Sequence, residues 1–304
     1  MANMSSVKSK LITVVGPTAV GKTRVGIALA KFFRTEIISA DSRQFYKEMN
    51  IGTAKPTRAE LAEIKHHFID IKSVEEDFDA GQFEREAMDL IENLFARHDH
   101  LILCGGSGMY VKAVCEGFDE MPEIDPGIRE EIIKEYDQKG LAWLQKQVEV
   151  IDPVYYDEVD KRNPQRLMRA LELLRFTGRP VSELRKNQRK VRPFQIIKIG
   201  LEIDRQELYK RIDHRVDEMI NRGLVDEART LYSKRNLNAL RTVGYQELFG
   251  FFEGNYDLAE AIRLLKRNTR RYAKRQLTWF KKDEEIKWFD PKEIEPIIDY
   301  VNAQ

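Results

Sequence analysis

The chain has few of the features on which membrane, secreted and zinc-containing proteins depend. None of the apolar runs in its 304 residues approaches the roughly 20 residues needed to cross a bilayer. It has only two cysteines, Cys104 and Cys115, which form no CxxC pair and have no nearby histidine at zinc spacing. The opening residues, MANMSSVKSK, contain no apolar signal core. We therefore expect a cytoplasmic protein with neither a disulfide nor a structural zinc site.

Net charge is also nearly absent, at +1, but the charges are distributed unevenly. Residues 116–160 hold 14 Asp or Glu against 4 Lys or Arg, whereas residues 161–192 hold 11 Lys or Arg and 2 Glu. Residues 263–282 add 9 Lys or Arg and no acid. Two basic stretches in a nearly neutral chain indicate a polyanionic partner, with solvated helix faces as the alternative.

Short apolar runs alternate with amphipathic segments in the first 115 residues. The runs are residues 11–15, 36–41, 67–71 and 100–106. Residues 81–98, before the last run, have the apolar periodicity of a helix. Strands that alternate with helices predict an α/β fold with a parallel sheet, whose ligands bind at the carboxyl ends of the strands.

This alternation stops near residue 115. Residues 116–191 have a mainly helical pattern, and one further apolar run follows at 194–203. We therefore predict an α/β core made of residues 1–115 and 192–304, interrupted by a helical insertion domain at 116–191.

The stretch GPTAVGKT, residues 16–23, matches the GxxxxGKT phosphate-binding pattern and lies between an apolar run and a helical pattern. Its glycines allow backbone amides to turn inward, Lys22 can reach phosphates, and the Thr23 hydroxyl can bind Mg²⁺. The predicted phosphate site comprises Gly16, Pro17, Thr18, Ala19, Val20, Gly21, Lys22 and Thr23. The pattern predicts a phosphate ligand without identifying a nucleotide.

Two further motifs follow apolar runs. In SADSRQFY, residues 39–46, Asp41 is placed to bind magnesium or act as a base, or alternatively to cap a helix. In GGSG, residues 105–108, the glycines permit close approach of a ligand, and Ser107 either projects into the site or caps the following helix.

Residues 162–174, RNPQRLMRALELL, have helical periodicity. Arg162, Arg166 and Arg169 are spaced by four and three residues, which predicts one shared helical face. Because three guanidinium groups on one face repel each other without an anion, a phosphate backbone is favoured over a purely solvated surface.

Together and in this order, these motifs resemble those of the bacterial tRNA dimethylallyltransferases, or IPP transferases. The resemblance extends over nearly the whole chain, since GLVDEAR (223–229), TVGYQE (242–247) and TRRYAKRQLTWF (269–280) also match. It implies a P-loop NTPase-like core with a helical insertion that grips the anticodon arm of tRNA. It also implies transfer of a dimethylallyl group from dimethylallyl diphosphate to the exocyclic amine of adenosine 37, with Mg²⁺ as cofactor and release of diphosphate.

The resemblance also implies roles for individual residues. Asp41 would be the general base or orient the attacking amine, and Ser107, where the family usually has Thr, would contact the reacting groups. Arg129 and Arg215 would lie in the active centre, with Arg215 clamping the diphosphate. The implied tRNA contacts are Asp41, Ser42, Arg43, Gln44, Gln165, Arg166, Leu167, Met168, Arg169, Thr242, Val243, Gly244, Tyr245, Gln246 and Glu247.

Other functions stay open at this point. A P-loop kinase of small molecules or an adenylate isopentenyltransferase would share the phosphate site, and a nucleotide-switch RNA-binding protein would share the basic stretches. A small-molecule enzyme has little use for those stretches, so we expect a tRNA-modifying enzyme that acts as a monomer.

Overall fold

A computed structural model describes residues 9–119, 121–122, 124–186 and 188–304. These residues form two compact units: one runs up to Glu116 and resumes at Val191–Gln304, and the other is Gly117–Lys190. The second unit differs from the predicted insertion domain, 116–191, by one residue at each end.

The first unit is built on a six-stranded, wholly parallel sheet, so the predicted α/β fold is confirmed. The strands are β1 Lys10–Val15, β2 Ile37–Ser39, β3 His66–His67, β4 His100–Gly105, β5 Gln195–Leu201 and β6 Lys287–Phe289. Their order across the sheet is β3-β2-β4-β1-β5-β6. Strand β2, the next strand in the chain after β1, lies on one side of β1 in the sheet, and β5 lies on the other side. The strand order therefore changes direction at β1, which creates a ligand crevice at the carboxyl end of this strand.

The helices are named here in chain order. They are α1 Lys22–Phe32, α2 Arg58–Glu63, α3 Ala80–Phe95, α4 Gly108–Glu116, α5 Pro126–Ile151, α6 Pro153–Glu158, α7 Pro164–Thr177, α8 Val181–Leu184, α9 Arg205–Asn221, α10 Leu224–Leu231, α11 Gln246–Phe252, α12 Leu258–Phe280 and α13 Ile294–Asn302. Two short 3₁₀ helices lie at Tyr232–Lys234 and Asn238–Leu240. In the described part of the chain, none of these helices combines the length and apolarity that a membrane span requires.

Strand β1 is buried on both faces from Leu11 to Val15, which explains why those residues are apolar apart from Thr13. Leu11 and Val15 pack on one face of the sheet, in a cluster with Phe45 and Phe83. Ile12, on the other face, packs in a cluster with α1 and α13 residues. Helices therefore cover both faces, and ligands have access only at the strand ends.

A third apolar cluster joins α9, α10, α11 and the first half of α12. Tyr245 is at its centre and is fully buried. The second unit has its own core, in which α5 packs against α7 around Leu144, Leu167 and Leu171. Each unit therefore has a hydrophobic core of its own.

Two sequence-based boundaries are wrong. The strand predicted at 67–71 is confined to His66–His67, because Phe68 (φ 61°) and Asp70 (φ 57°) adopt the left-handed conformation, which ends the strand. The helix predicted from Arg162 begins at Pro164, with Asn163 as the N-cap that accepts from the Arg166 amide. Arg162 therefore precedes the helix that carries Arg166 and Arg169.

Candidate active site

The phosphate loop connects the carboxyl end of β1 to α1. Gly16 (φ 150°) passes so close to β5 that a Cβ there would come within 2.8 Å of the Leu201 carbonyl oxygen. Gly21 (φ 113°) makes the left-handed turn from which α1 begins. The first turn of α1 contains no acidic residue. The start of α1 is therefore an anion site made of backbone amides and the positive end of the helix dipole.

Lys22 curls back over this loop. Its Nζ donates to the carbonyl oxygens of Gly16 (3.0 Å) and Pro17 (2.8 Å). Burial, with a smaller contribution from the neighbouring Arg215, lowers the pKa of Lys22 to about 8, whereas Asp41 opposes the shift. A buried ammonium with a lowered pKa favours a bound anion, because a phosphate would restore the charge balance that the protein alone does not supply.

Asp41 lies just beyond the carboxyl end of β2. Its Oδ1 accepts from the Arg43 amide at 3.0 Å, which closes a turn over residues 41–43. Residues 42–57, all of them described, contain no helix, so the alternative that Asp41 caps a helix is wrong. The turn directs the Asp41 carboxylate into a cleft that Arg215 also lines.

Ser107 joins this turn to the glycine turn after β4. Its Oγ accepts from the Ser42 amide (2.9 Å) and donates to the Ser42 hydroxyl (3.1 Å). Its carbonyl oxygen accepts from the Tyr110 and Val111 amides at the start of α4. The carbonyl of Ser107 therefore starts α4, and its side chain fixes the turn that carries Asp41; contact of Ser107 with a ligand stays a prediction.

Gln276, on α12, bridges the phosphate loop and the glycine turn. Its Oε1 accepts from the Thr18 amide (2.8 Å), and its Nε2 donates to the Gly106 carbonyl (2.8 Å). The side chain is buried, and a Cβ on Gly106 would come within 2.4 Å of Nε2. Gly106 is thus required for this contact. Through Gln276, α12 fixes the phosphate loop and the glycine turn relative to each other.

Arg215, on α9, completes the site from the opposite side. Its Nη1 donates to the Thr18 hydroxyl (3.3 Å), and its Nη2 donates to the Ala54 carbonyl (3.4 Å). Burial lowers the pKa of Arg215, and the Asp41 carboxylate opposes that effect. The guanidinium keeps its charge, so it adds a second cation beside Lys22.

Of the residues described above, Thr18, Asp41, Arg215 and Gln276 line a cleft of about 740 Å³. Its polar lining includes Thr18, Asp41, Arg215 and Tyr272. The apolar lining consists of Ile212, Val216, Met219, Val243 and Leu265. Burial raises the pKa of Tyr272 to about 12, and its hydroxyl bonds to Ser107. The cleft thus contains the Arg215 guanidinium, the Asp41 carboxylate and several apolar side chains.

A smaller cavity of about 370 Å³ is lined by Lys22, Thr23, Ser39 and Asp41. Mg²⁺ in phosphate sites is held by one or two protein oxygens, with the remaining positions filled by water and phosphate. The Thr23 hydroxyl and the Asp41 carboxylate, facing one cavity beside the phosphate loop, fit that requirement. No cluster of three or more His, Cys, Asp or Glu suited to a metal occurs among the described residues.

The sequence profile of the IPP transferase family matches residues 44–283. This chain belongs to the IPP transferase family. It is 51% identical to the tRNA dimethylallyltransferase of Cytophaga hutchinsonii, over 99% of both chains. It is 50% identical to the enzyme of the same name from Christiangramia forsetii, over 97% of this chain and 98% of the other.

Solved structures of the family have the same fold. The full-length tRNA isopentenylpyrophosphate transferase of Bacillus halodurans superimposes with a TM-score of 0.72 and 39% identity, covering 97% of this chain and 96% of the other. A eukaryotic dimethylallyltransferase acting on tRNA superimposes with a TM-score of 0.76 and 26% identity, covering 94% of this chain and 75% of the other.

The family resemblance predicted tRNA contacts for two segments that are only partly at the surface. In α7, Gln165, Arg166 and Arg169 are exposed, but Leu167 and Met168 are buried in the core of the second unit. Direct RNA contact by the last two side chains is therefore excluded, and they instead hold the helix in place.

Residues 242–247 likewise include both accessible and buried side chains. Thr242, Val243 and Gly244 line the 740 Å³ cleft, and Gln246 is exposed. Tyr245 and Glu247 are buried, with the Glu247 carboxylate accepting from the Gly244 amide (2.9 Å) and the Asn268 amide group (2.7 Å). Their side chains therefore shape the cleft wall and do not contact RNA.

Arg129 belongs to the second unit, whereas the phosphate loop belongs to the first. Its Nη2 donates to the Gln165 Oε1 (3.2 Å), and its Nε lies 3.7 Å from the buried Glu172. Arg169 pairs with the same carboxylate at 3.2 Å. Arg129 thus orders the exposed start of α7, and its role in the active centre stays a prediction.

The basic stretch on α12 is also divided. Several of its cations pair with acids of the same unit: Arg263 with Glu260, Lys266 with Asp217, and Arg270 with Asp213. Arg271, Lys274 and Arg275 are exposed. The paired cations form salt bridges, so this part of the local positive charge needs no polyanion to explain it. The exposed cations are those available to a polyanion.

Sequence reasoning missed the residues that connect separate segments. Gln276 lies within the motif TRRYAKRQLTWF, but its partners are 258 and 170 positions away. In the segment IGTA, residues 51–54, Gly52, Thr53 and Ala54 form part of the cleft wall without matching any phosphate or metal pattern. A glycine followed by two small residues and a Lys-Pro pair was the available signal, because such a sequence is typical of a tight loop.

Proposed function

We propose that this protein transfers the dimethylallyl group of dimethylallyl diphosphate to the exocyclic amine of adenosine 37 in tRNA and releases diphosphate. The observation that carries the proposal is the 740 Å³ cleft, where Arg215 and the phosphate loop adjoin Asp41 and an apolar wall. A prenyl diphosphate needs cations for its diphosphate and apolar surface for its five carbons. The family membership and the names of the full-length relatives support the same reaction.

The reaction breaks the allylic carbon–oxygen bond of the donor. The electron pair stays with the diphosphate, while the prenyl group gains carbocation character and forms a new bond to the adenine nitrogen. The phosphate-loop amides, Lys22 and Arg215 stabilise the charge that develops on the leaving group. The apolar residues of the cleft exclude water, which would otherwise capture the prenyl group.

Asp41 acts on the other reactant. An adenine amine is a weak nucleophile and is hardly basic, so its proton leaves as the bond forms or after it has formed. The Asp41 carboxylate accepts this proton or a hydrogen bond that orients the amine. Ser107 and Tyr272 support it indirectly, because Ser107 fixes the turn that carries Asp41.

We propose Mg²⁺ as the cofactor, held by the Thr23 hydroxyl with the Asp41 carboxylate nearby. When bound, the ion neutralises charge on the diphosphate. The P-loop serves to hold a leaving group, so the reaction needs no hydrolysis of ATP.

For the RNA, we propose that the exposed residues Gln165, Arg166 and Arg169 contact the anticodon arm, together with the 41–44 turn. An amine that is stacked inside an anticodon loop is out of reach, so the target base must be turned out into the cleft. We further propose that the protein acts as a monomer in the cytoplasm.

The deciding experiment supplies purified protein with dimethylallyl diphosphate and Mg²⁺, together with either unmodified tRNA or AMP. We expect prenylated adenosine at position 37, located by mass spectrometry of nuclease fragments, and no prenylated AMP. Prenylation of AMP alone would identify an adenylate isopentenyltransferase. Tight binding of ATP or GTP without release of diphosphate from the prenyl donor would identify a nucleotide-switch protein.

A further inference from the structure

The Glu227 carboxylate, in the first turn of α10, is the common acceptor of several hydrogen bonds from a distant loop. Its Oε2 accepts from the backbone amides of Asn50 (3.0 Å) and Ile51 (2.8 Å). Its Oε1 accepts from the Gly52 amide (3.0 Å) and from the Tyr245 hydroxyl (2.7 Å). Three consecutive amides that converge on one anion form a backbone nest, and such charge-assisted bonds are stronger than neutral ones.

The segment that Glu227 holds, residues 50–54, is named here the 50–54 loop. It is fixed on its inner side by packing, because a Cβ on Gly52 would come within 2.7 Å of the Tyr245 ring. Lys55, which follows the loop and could be taken for a phosphate ligand, donates to the Tyr46 carbonyl (2.6 Å) and pairs with Asp70. None of Tyr46, Lys55, Asp70 and Tyr245 is among the residues that line the 740 Å³ cleft.

The outer side of the 50–54 loop faces the cleft. Gly52, Thr53 and Ala54 line it together with Asp41 and Arg215. The Ala54 carbonyl accepts from Arg215 Nη2 (3.4 Å) and from Gln44 Nε2 (3.3 Å). Ala54 adopts the left-handed conformation (φ 49°), which costs a non-glycine residue energy and requires support from the surroundings.

We propose that Glu227 is a positioning residue for binding of the prenyl diphosphate, acting through the 50–54 loop on Arg215. The Glu227 carboxylate fixes the position of the 50–54 loop, and this positions the Ala54 carbonyl. The Ala54 carbonyl and the Thr18 hydroxyl then orient the Arg215 guanidinium. Glu227 itself contacts no reacting atom. This inference rests on the proposed function, because its test measures prenyl transfer, and the four hydrogen bonds to Glu227 support it.

The test is Glu227→Gln in the full chain, with Asp226→Asn as the matched control. Both substitutions remove one negative charge from the same helical turn, but Asp226 is exposed. A Gln amide has one acceptor oxygen and turns an NH₂ donor toward backbone donors. We expect Glu227→Gln to raise the KM for dimethylallyl diphosphate about tenfold, which corresponds to about 1.4 kcal/mol. The kcat should change less than threefold, and the Kd for tRNA should stay the same.

The matched control should have the kinetics of the unchanged protein. An unchanged donor KM in Glu227→Gln, or an equal rise in Asp226→Asn, would overturn the inference. A fall in kcat with an unchanged KM would also overturn it, since that pattern belongs to the chemical step.

A second variant, Tyr245→Phe, covers the case in which Glu227→Gln does not fold. It deletes one of the four hydrogen bonds to Glu227 and keeps the ring that packs on Gly52. We expect a donor KM about two- to threefold higher, in keeping with the loss of one hydrogen bond. An unchanged KM in this variant counts against the inference. If the unchanged protein transfers no prenyl group to tRNA, the proposed function fails instead, and the two failures are thereby distinguished.

Discussion

The side-chain oxygen of Gln276 lies 2.8 Å from the backbone amide of Thr18, and the same carboxamide donates to the carbonyl of Gly106. One buried side chain thus satisfies a donor in the phosphate loop and an acceptor in the glycine turn. A carboxylate of the same size could replace the first bond but not the second, because it has no proton to donate.

We therefore expect Gln276→Glu to lower kcat/KM for prenyl transfer at least 30-fold, since the buried Gly106 carbonyl then faces an unprotonated acceptor. Steady-state kinetics with tRNA and dimethylallyl diphosphate measure this loss. The control is Gln206→Glu, an exposed position on α9. Equal activity in the two variants would show that the bridge does not matter for catalysis.

Asp41 can be tested without disturbing its turn. Asparagine at this position keeps an oxygen that accepts from the Arg43 amide, but it cannot take up a proton. Asp41→Asn should therefore lower kcat by roughly 10² to 10⁴, the usual contribution of a general base. The melting temperature and the Kd for tRNA should stay near those of the unchanged protein. Near-normal turnover would remove Asp41 from the chemical step.

The low pKa of Lys22, about 8, predicts a pH dependence of donor binding. Above pH 8 the buried amine of the free protein is neutral, while a bound diphosphate favours the charged form. Binding should then take up a proton, and the affinity should fall as the pH rises through 8. Titration calorimetry at pH 8.5 in two buffers of different ionisation enthalpy measures the uptake.

Lys22→Arg is the matched variant, because a guanidinium keeps its proton throughout this range. It should bind the donor without proton uptake. Uptake of the same size in Lys22→Arg would assign the proton to another group.

The same pKa has a consequence for stability. In the unfolded chain Lys22 has its ordinary pKa of 10.5, so between pH 8 and 10.5 the unfolded state binds more protons than the folded state. The contribution of Lys22 to the free energy of unfolding should therefore increase with pH across that window. Urea titrations of the unchanged protein and of Lys22→Met, compared at pH 8 and 10, isolate this contribution.

Arg166 is the exposed basic residue of α7 that is best placed to test RNA binding. Arg166→Ala should weaken tRNA binding and reduce the slope of log Kd against log salt by about one, as expected for one lost phosphate contact. The donor KM should not change. Arg175→Ala serves as the control, since this residue of the same helix is paired with Glu135 at 3.0 Å. An unchanged slope in Arg166→Ala would favour a solvated helix face.

The central strands could be predicted because they are buried on both faces. Strand β1 was expected at 11–15 and runs over Lys10–Val15, and β5 lies within the expected 194–203. Phe68 breaks the expected third strand, although its residue type favours strands, because its left-handed conformation is set by tertiary contacts. Strand β6 has only three residues, too few for a periodic signal.

Some residues of the candidate site could also be predicted from the sequence, and others could not. The phosphate loop, Asp41 and Ser107 could be found because each follows a strand at the carboxyl edge of the sheet. Glu227 and Gln276 could not be assigned roles from the sequence, because their hydrogen-bond partners are distant in the chain. Neither the spacing of residues nor the composition indicates such distant contacts. Tyr245 and Glu247 lie in a recognised motif, and only their burial shows that the motif serves the packing of the cleft wall.

The bridge between Gln276 and the phosphate loop also sets the order in which the site can be completed during synthesis. At 5 to 20 residues per second, Gln276 leaves the peptidyl transferase centre roughly 10 to 50 seconds after Thr18. Strand β5, which pairs with β1, likewise emerges only after the whole second unit. A nascent chain therefore exposes a phosphate loop that lacks its final neighbours for most of its translation, and a chain that is truncated before α12 lacks the bridge that aligns that loop with the glycine turn.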